Sequence, residues 1–248
     1  MSSPRFHCPD GLTVAAAGRE YTLPDAVAHH ALRVLRLGVG DSLTVFTGSG
    51  GEFAATLVRA DKRHAIVRLD AFDPAEREAM LAMTLVQGLA ANDAMDHALR
   101  RAVELGAAAI RPILTSRSAR MPGGDHGARR LAHWRQIAVA ACEQCGRNRI
   151  PHVHDVVSLE RLLAERAHDA TGLILVPDAA ASLSAVPRPA QSVELLIGPE
   201  GGFAPAEVAA ARAAGMTAVR LGPRVLRTET AALAALAAIN TRWGDFGG

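Results

Sequence analysis

Two loops of this 248-residue chain carry residue types that could hold a small polar ligand and act on it. The first lies in LLIGPEGGFAPAE, residues 195–207. An apolar strand runs into Gly198-Pro199-Glu200-Gly201-Gly202, and a helix is predicted to begin near Pro205. Glycines and a proline in that order make a sharp turn whose backbone can approach a ligand closely. Free amides in the turn and at the helix start can donate to it. The second loop lies in LGPRVLRTETAALAAL, residues 221–236. Gly222-Pro223 turns the chain after a strand, residues 224–227 follow, and Thr228 is the expected N-cap of a buried helix. Arg227 and Glu229 flank that cap with opposite charges. They read either as groups that act on a substrate or as an ordinary ion pair that supports the helix start.

Neither loop has the spacing of the common nucleotide motifs. GxGxxG is absent, and no P-loop lysine follows the glycines. Gly48-Ser49-Gly50-Gly51 sits between two predicted strands, so it reads as a hairpin turn and not as a phosphate loop. Cys142 and Cys145 form a CxxC pair in a predicted helix, but no second pair or HxxxH completes four ligands. They read as reduced thiols one helical turn apart, and no metal is expected. With Cys8 as the only other cysteine, no disulfide framework is available.

Loops of this kind need a sheet to carry them, and the pattern from residue 73 onward supplies one. Strands are predicted at 80–87, 109–114, 172–176, 193–197 and 218–221. Helices are predicted at 92–105 (capped by Asn92 and stopped by Gly106), 127–145, 204–215 and 229–242. Strands alternating with helices imply an α/β domain with a largely parallel sheet, whose ligands bind at the carboxyl ends of the strands. Residues 1–72 read differently. Strands at 41–46, 52–58 and 65–69 and a short helix at 25–37 suggest a small β-barrel with one helical insertion. Arg33 and Arg36 are expected on one face of that helix. The polar segment FDPAERE, residues 72–78, marks the boundary.

Charge is unevenly spread. Residues 97–149 hold ten arginines and three acids, a local net of +7 in a chain of net +2. Residues 73–96 hold one basic and five acidic side chains, a net of −4. A basic block suggests a polyanion partner, against the plainer reading of a solvated helix face. Only Lys62 among the 27 basic residues is lysine, a bias that genome composition explains as well as RNA binding does. No apolar run is long enough to span a bilayer, and MSSPRFHCPDG lacks the apolar core of a signal peptide, so a cytoplasmic location and no membrane partner are expected.

Taken together, the motifs resemble the RsmE family of 16S ribosomal RNA uracil-N3 methyltransferases, within the SPOUT superfamily. The resemblance runs along nearly the whole chain. It is carried by Arg5-Phe6, HALRVLRL at 30–37, Gly40-Asp41 and residues 46–48, then by AVELG at 102–106, AACEQCGRNRIP at 140–151, IGPEGG at 197–202 and LGPRVLRTETA at 221–231. The chain differs where family members often carry lysine or a basic–glycine pair, having Ala91-Asn92 before the first helix of the α/β domain and Arg101 before AVELG.

The resemblance implies a PUA-like RNA-binding β-barrel over residues 1–72 and a SPOUT methyltransferase domain with a C-terminal trefoil knot over 73–248. It implies S-adenosyl-L-methionine as cofactor, a uridine of 16S rRNA in the small ribosomal subunit as substrate, and a homodimer. Its knot loops correspond here to Leu175, Val176 and Pro177; to Ile197, Gly198, Pro199, Glu200, Gly201 and Gly202; and to Leu221, Gly222, Val225, Leu226 and Arg227. Glu229 is then the candidate proton acceptor, and Arg227 the candidate stabiliser of charge on the base. Arg5, Arg33, Arg36, Arg147 and Arg149 are the candidate RNA contacts. Two alternatives stay open at this point: a non-catalytic PUA-type RNA-binding protein, and a different nucleotide enzyme on a Rossmann-like sheet.

Overall fold

The computed structural model describes residues 3–9, 11–166 and 169–247. The chain gathers into two units, Met1–Glu78 with Cys142–Ile150, and Ala79–Ala141 with Pro151–Gly248.

The first unit is built on one five-stranded sheet of order β1-β3-β4-β5-β2. Its strands are β1 (Arg5–His7), β2 (Glu20–Thr22), β3 (Ser42–Phe46), β4 (Glu52–Ala60) and β5 (Ala65–Asp73). Alternation in β4 and β5 turns Phe53, Ala55, Leu57, Val67 and Leu69 into the core with Phe6 and Leu43, and leaves the other face polar. β3 and β4 pair antiparallel across Gly48–Gly51, the expected hairpin. The predicted helix at 25–37 is shorter than its pattern suggests. α1 (Asp25–His29) passes into a π-helical turn, His30–Val34, and the chain then leaves helical geometry with Arg36 at φ 58°. Arg33 and Arg36 therefore do not share a helix face, and both are exposed.

Cys142–Ile150 is stitched to this unit by long-range polar contacts. His7 N–H donates to Glu143 at 2.9 Å, Ile150 N–H to Gly48 O at 3.0 Å, and Asn148 Nδ2 to Ala75 O at 2.8 Å. Arg147 forms an ion pair with Glu78, and Arg149 with Glu76 at 3.3 Å. The acidic stretch and part of the basic block thus neutralise each other. Two more arginines of the block, Arg101 and Arg135, pair with Glu104 and Asp155.

The second unit holds an eight-stranded sheet. Its strands are β6 (Ala82–Gly88), β7 (Ala107–Leu114), β8 (His152–Val153), β9 (Val157–Ser158), β10 (Thr171–Leu175), β11 (Ala181–Ser182), β12 (Ser192–Ile197) and β13 (Thr217–Arg220). The order is β11-β13-β10-β12-β6-β7-β8, with β9 also on β7, and every pairing is parallel. The helices are α2 (Asn92–Glu104), α3 (Gly124–Cys145), α4 (Leu159–Ala164), α5 (Pro205–Ala213) and α6 (Thr228–Trp243). Parallel strands covered on both faces must be apolar throughout, and Leu173, Ile174, Leu195, Leu196, Met83, Leu85 and Val86 are all fully buried. A buried ion pair, Arg166 to Glu194 at 2.9 Å, joins the approach to β10 to β12, and Arg166 also donates to Ala214 O beyond α5. No helix among the described residues is long and apolar enough to cross a membrane.

Candidate active site

The strand order places β13, β10, β12 and β6 side by side, so their carboxyl ends open onto a common space. That space is a cavity of about 980 Å³, near the upper end of small-molecule sites. Its lining includes Leu175, Val176 and Pro177 after β10; Ile197, Gly198, Pro199, Glu200, Gly201 and Gly202 after β12; and Leu221, Val225, Leu226 and Arg227 after β13. The structure brings these together from three separate stretches of sequence. Gly222 is not among the lining residues and serves the turn behind them, with φ 65°.

The glycine loop is built for close approach. Gly202 sits at φ 64°, a conformation that a side chain would strain. A Cβ on Gly88, at the end of β6, would lie 2.6 Å from Pro199 Cδ and 2.7 Å from its nitrogen. The loop is also anchored by side chains. Glu200 accepts from Ala91 N–H at 2.7 Å, so it satisfies the amino end of α2. The expected cap Asn92 is instead the first helical residue, and the cap position is Ala91. Arg117 donates to Gly201 O at 3.1 Å, and Glu207 ties the start of α5 to Ser116 N–H at 2.7 Å.

The start of α6 also departs from its local pattern. The cap position is Arg227, and Thr228 is the first helical residue. The Thr228 hydroxyl donates across the fold to Gly198 O at 2.5 Å. Among the described residues, Arg227 and Glu229 form no ion pair with each other or with any other side chain, and both line the cavity. The capping-pair reading of these two residues is therefore not met.

Several lining residues fall outside the two loops that sequence reasoning singled out. Asp93 and His97 stand four apart on α2, Arg117 follows β7, and Asp178 follows Pro177. The signal for the first three was the strand-end rule, applied to β6 and β7 as well as to the glycine-rich turns. The wall thus mixes apolar, acidic and basic groups, with Arg117, Arg224 and Arg227 among the last. Half-buried Leu175, Val176, Leu221 and Leu226 with glycine backbone suit a flat apolar ring, and the carboxylates of Asp93, Asp178, Glu200 and Glu229 suit a cation.

The candidate RNA contacts divide. Arg5 is inward. Its side chain is 12% exposed, pairs with Glu52 at 2.5 Å, donates to Asn148 Oδ1 at 2.6 Å and stacks over Phe46. Arg147 is 4% exposed and held by Glu78. Both side chains are held by carboxylates within the protein. Arg33, Arg36 and Arg149 are exposed, with Arg149 leaning on Glu76. Cys142 is buried, and burial pushes its thiol up to about 12. Among the described residues no three His, Cys, Asp or Glu side chains cluster as a metal site would require.

Known proteins resemble the chain over its whole length. Residues 77–240 match an RNA methyltransferase domain, and residues 23–70 match an RNA methyltransferase PUA domain. Ribosomal RNA small subunit methyltransferase E from Mycobacterium bovis is 36% identical over 245 residues, covering 90% of this chain and 91% of that protein. The structure of the protein of that name from Neisseria gonorrhoeae bound to S-adenosyl methionine superimposes with a TM-score of 0.92 at 38% identity, covering 99% of this chain and all of that one. A methyltransferase from Legionella pneumophila in complex with bound SAM gives 0.93 at 34% identity over the same shares. The parallel α/β domain and the PUA-like domain are as the motifs led one to expect.

Proposed function

The chain belongs to the ribosomal RNA small subunit methyltransferase E family, and on that premise we propose that it methylates N3 of one uridine in 16S rRNA, with S-adenosylmethionine held in the cavity at the carboxyl ends of β10, β12 and β13. One observation carries this reading: three loops distant in sequence line one cavity that combines apolar side chains and glycine backbone with carboxylates. The cofactor supplies a methyl group made electrophilic by a sulfonium. Residues 198–202 and Leu221 and Leu226 would enclose the adenosine portion, and the carboxylates would favour the cationic portion.

The chain's own residues do the rest. N3 of uracil carries a proton at neutral pH and is a weak nucleophile. Glu229, in the cavity wall and without an ion pair among the described residues, accepts that proton, a contribution of about 10²–10⁴ in rate. Arg227 faces the charge that spreads onto the base carbonyl oxygens. Holding the base beside the methyl donor in one cavity would supply much of the remaining acceleration, and the base would leave its stack to enter. The match of residues 77–240 to an RNA methyltransferase domain disfavours the alternative of a purely RNA-binding protein.

The proposal extends to the small ribosomal subunit as substrate, to a homodimer, to a C-terminal trefoil knot and to a cytoplasmic site of action that follows from the ribosomal substrate. Methyl transfer to small subunits lacking the modification, with mapping of the methylated base, tests it. Label on a cytidine, on a ribose or on no nucleotide would sink the assignment.

A further inference from the structure

One fully buried polar side chain joins the segments that carry the two loops. Gln87, next to last in β6, is 0% exposed and is not among the residues lining the cavity. Its Nε2 donates to Gly88 O at 3.0 Å and to Thr228 Oγ1 at 2.9 Å, and it stands 3.5 Å from Gly198 O. The Thr228 hydroxyl in turn donates to Gly198 O at 2.5 Å. Gly198 opens the glycine loop, and Thr228 lies between Arg227 and Glu229. A hydrogen-bonded chain therefore runs from the end of β6 through the start of α6 to the glycine loop.

This arrangement has a cost. Gln87 Oε1 is buried and has no hydrogen-bond partner among the described residues. An orphaned buried carbonyl is destabilising, and an apolar side chain of the same shape would avoid the penalty. Stability alone does not account for an amide at this position. What the amide adds is a directed donor of fixed length that sets how far apart the two loops stand.

We infer that Gln87 is a positioning residue: acting through Thr228, it fixes the spacing of the loops that enclose the cofactor and thereby the placement of Arg227 and Glu229. This rests on the reading of the cavity as the cofactor site. Gln87→Met removes the amide at nearly constant volume, Thr228→Val removes the hydroxyl, and Thr228→Ser keeps it. Each full-length variant is titrated calorimetrically with S-adenosylhomocysteine, melted, and followed by hydrogen exchange over residues 198–202 and 221–231.

Gln87→Met and Thr228→Val should each weaken binding about tenfold. The double variant should be no weaker than either alone, because both changes break the same chain. Thr228→Ser should stay within about threefold, loop amides should exchange faster in the weakened variants, and melting should stay within about 3 °C of the parent. Unchanged affinity in both Gln87→Met and Thr228→Val, or losses that add in the double variant, would overturn the positioning role. A large drop in melting temperature without loss of affinity would do so as well, by leaving a purely structural role. A parent protein that does not bind S-adenosylhomocysteine would instead overturn the cofactor reading, and the proposal with it; the parent titration tells the two failures apart.

Discussion

Arg227 and Glu229 were ambiguous as residue types and became candidates for chemistry through the family resemblance; in the structure both line the cavity and, among the described residues, neither forms an ion pair. If Glu229 accepts the proton, Glu229→Gln should bind S-adenosylhomocysteine as the parent does and lose about 10² or more in turnover. Full turnover would remove Glu229 from that role. Arg5 and Glu52 make the opposite case, of charges spent on the fold. Burial by itself would raise the Glu52 carboxyl, but hydrogen bonds from Arg5 and Arg77, with their charges, outweigh it and hold it below its ordinary value of 4.5. A depressed carboxyl contributes stability that is present above the unfolded value and lost as pH falls through the folded one. Melting temperature should therefore drop as pH is lowered below about 4.5. Glu52→Gln should be less stable at pH 7 and show a shallower drop; an unchanged acid limb would show that this pair does not set it.

At the scale of elements, hydrophobic periodicity made most strands and helices legible, because each must bury a face or a stripe whatever its partner. The short strands β1, β2, β8, β9 and β11 and the short helix α4 went unread. Stretches of two to six residues carry too little pattern, and pairing creates them. Helix starts also differ from their local signals. Asn92 and Thr228 are types that cap helices, yet Glu200 satisfies the amino end of α2, and the Thr228 hydroxyl reaches Gly198. Long-range partners took over a local role. The contact of β6 with the glycine loop is equally non-local and gives a prediction of its own. Gly88→Ala would drive a Cβ into the Pro199 backbone at 2.7 Å. It should destabilise the protein by about 1–3 kcal/mol, as overpacking does, and weaken cofactor binding. Wild-type melting and affinity in that variant would mean that the loop yields freely.

For the whole molecule, the basic block gave a misleadingly simple charge picture. Arg101, Arg135, Arg147 and Arg149 are paired with carboxylates, so the +7 of residues 97–149 is not an open cationic surface. RNA affinity should therefore depend on individual exposed arginines. Arg33→Ala and Arg36→Ala should each weaken RNA binding and lower the slope of log affinity against log salt by about 1. Neither change should alter binding of S-adenosylhomocysteine. A slope that does not move in filter binding from 50 to 200 mM salt, about the range where phosphate contacts are lost, would exclude a phosphate contact at that residue.

The sequence by itself determined the class of each half and the places where strands end in turns that a ligand can approach, because periodicity and turn chemistry are local properties; the family came from the resemblance of its motifs. It could not say which strand ends are neighbours, which arginines face water, or that Cys142–Ile150 gathers with the first unit. Those depend on partners as far apart as Arg5 and Asn148, Gln87 and Thr228, or Gly198 and Thr228. Only the tertiary structure chooses among such distant pairs, because burial leaves each polar group to find whichever partner the fold brings within reach.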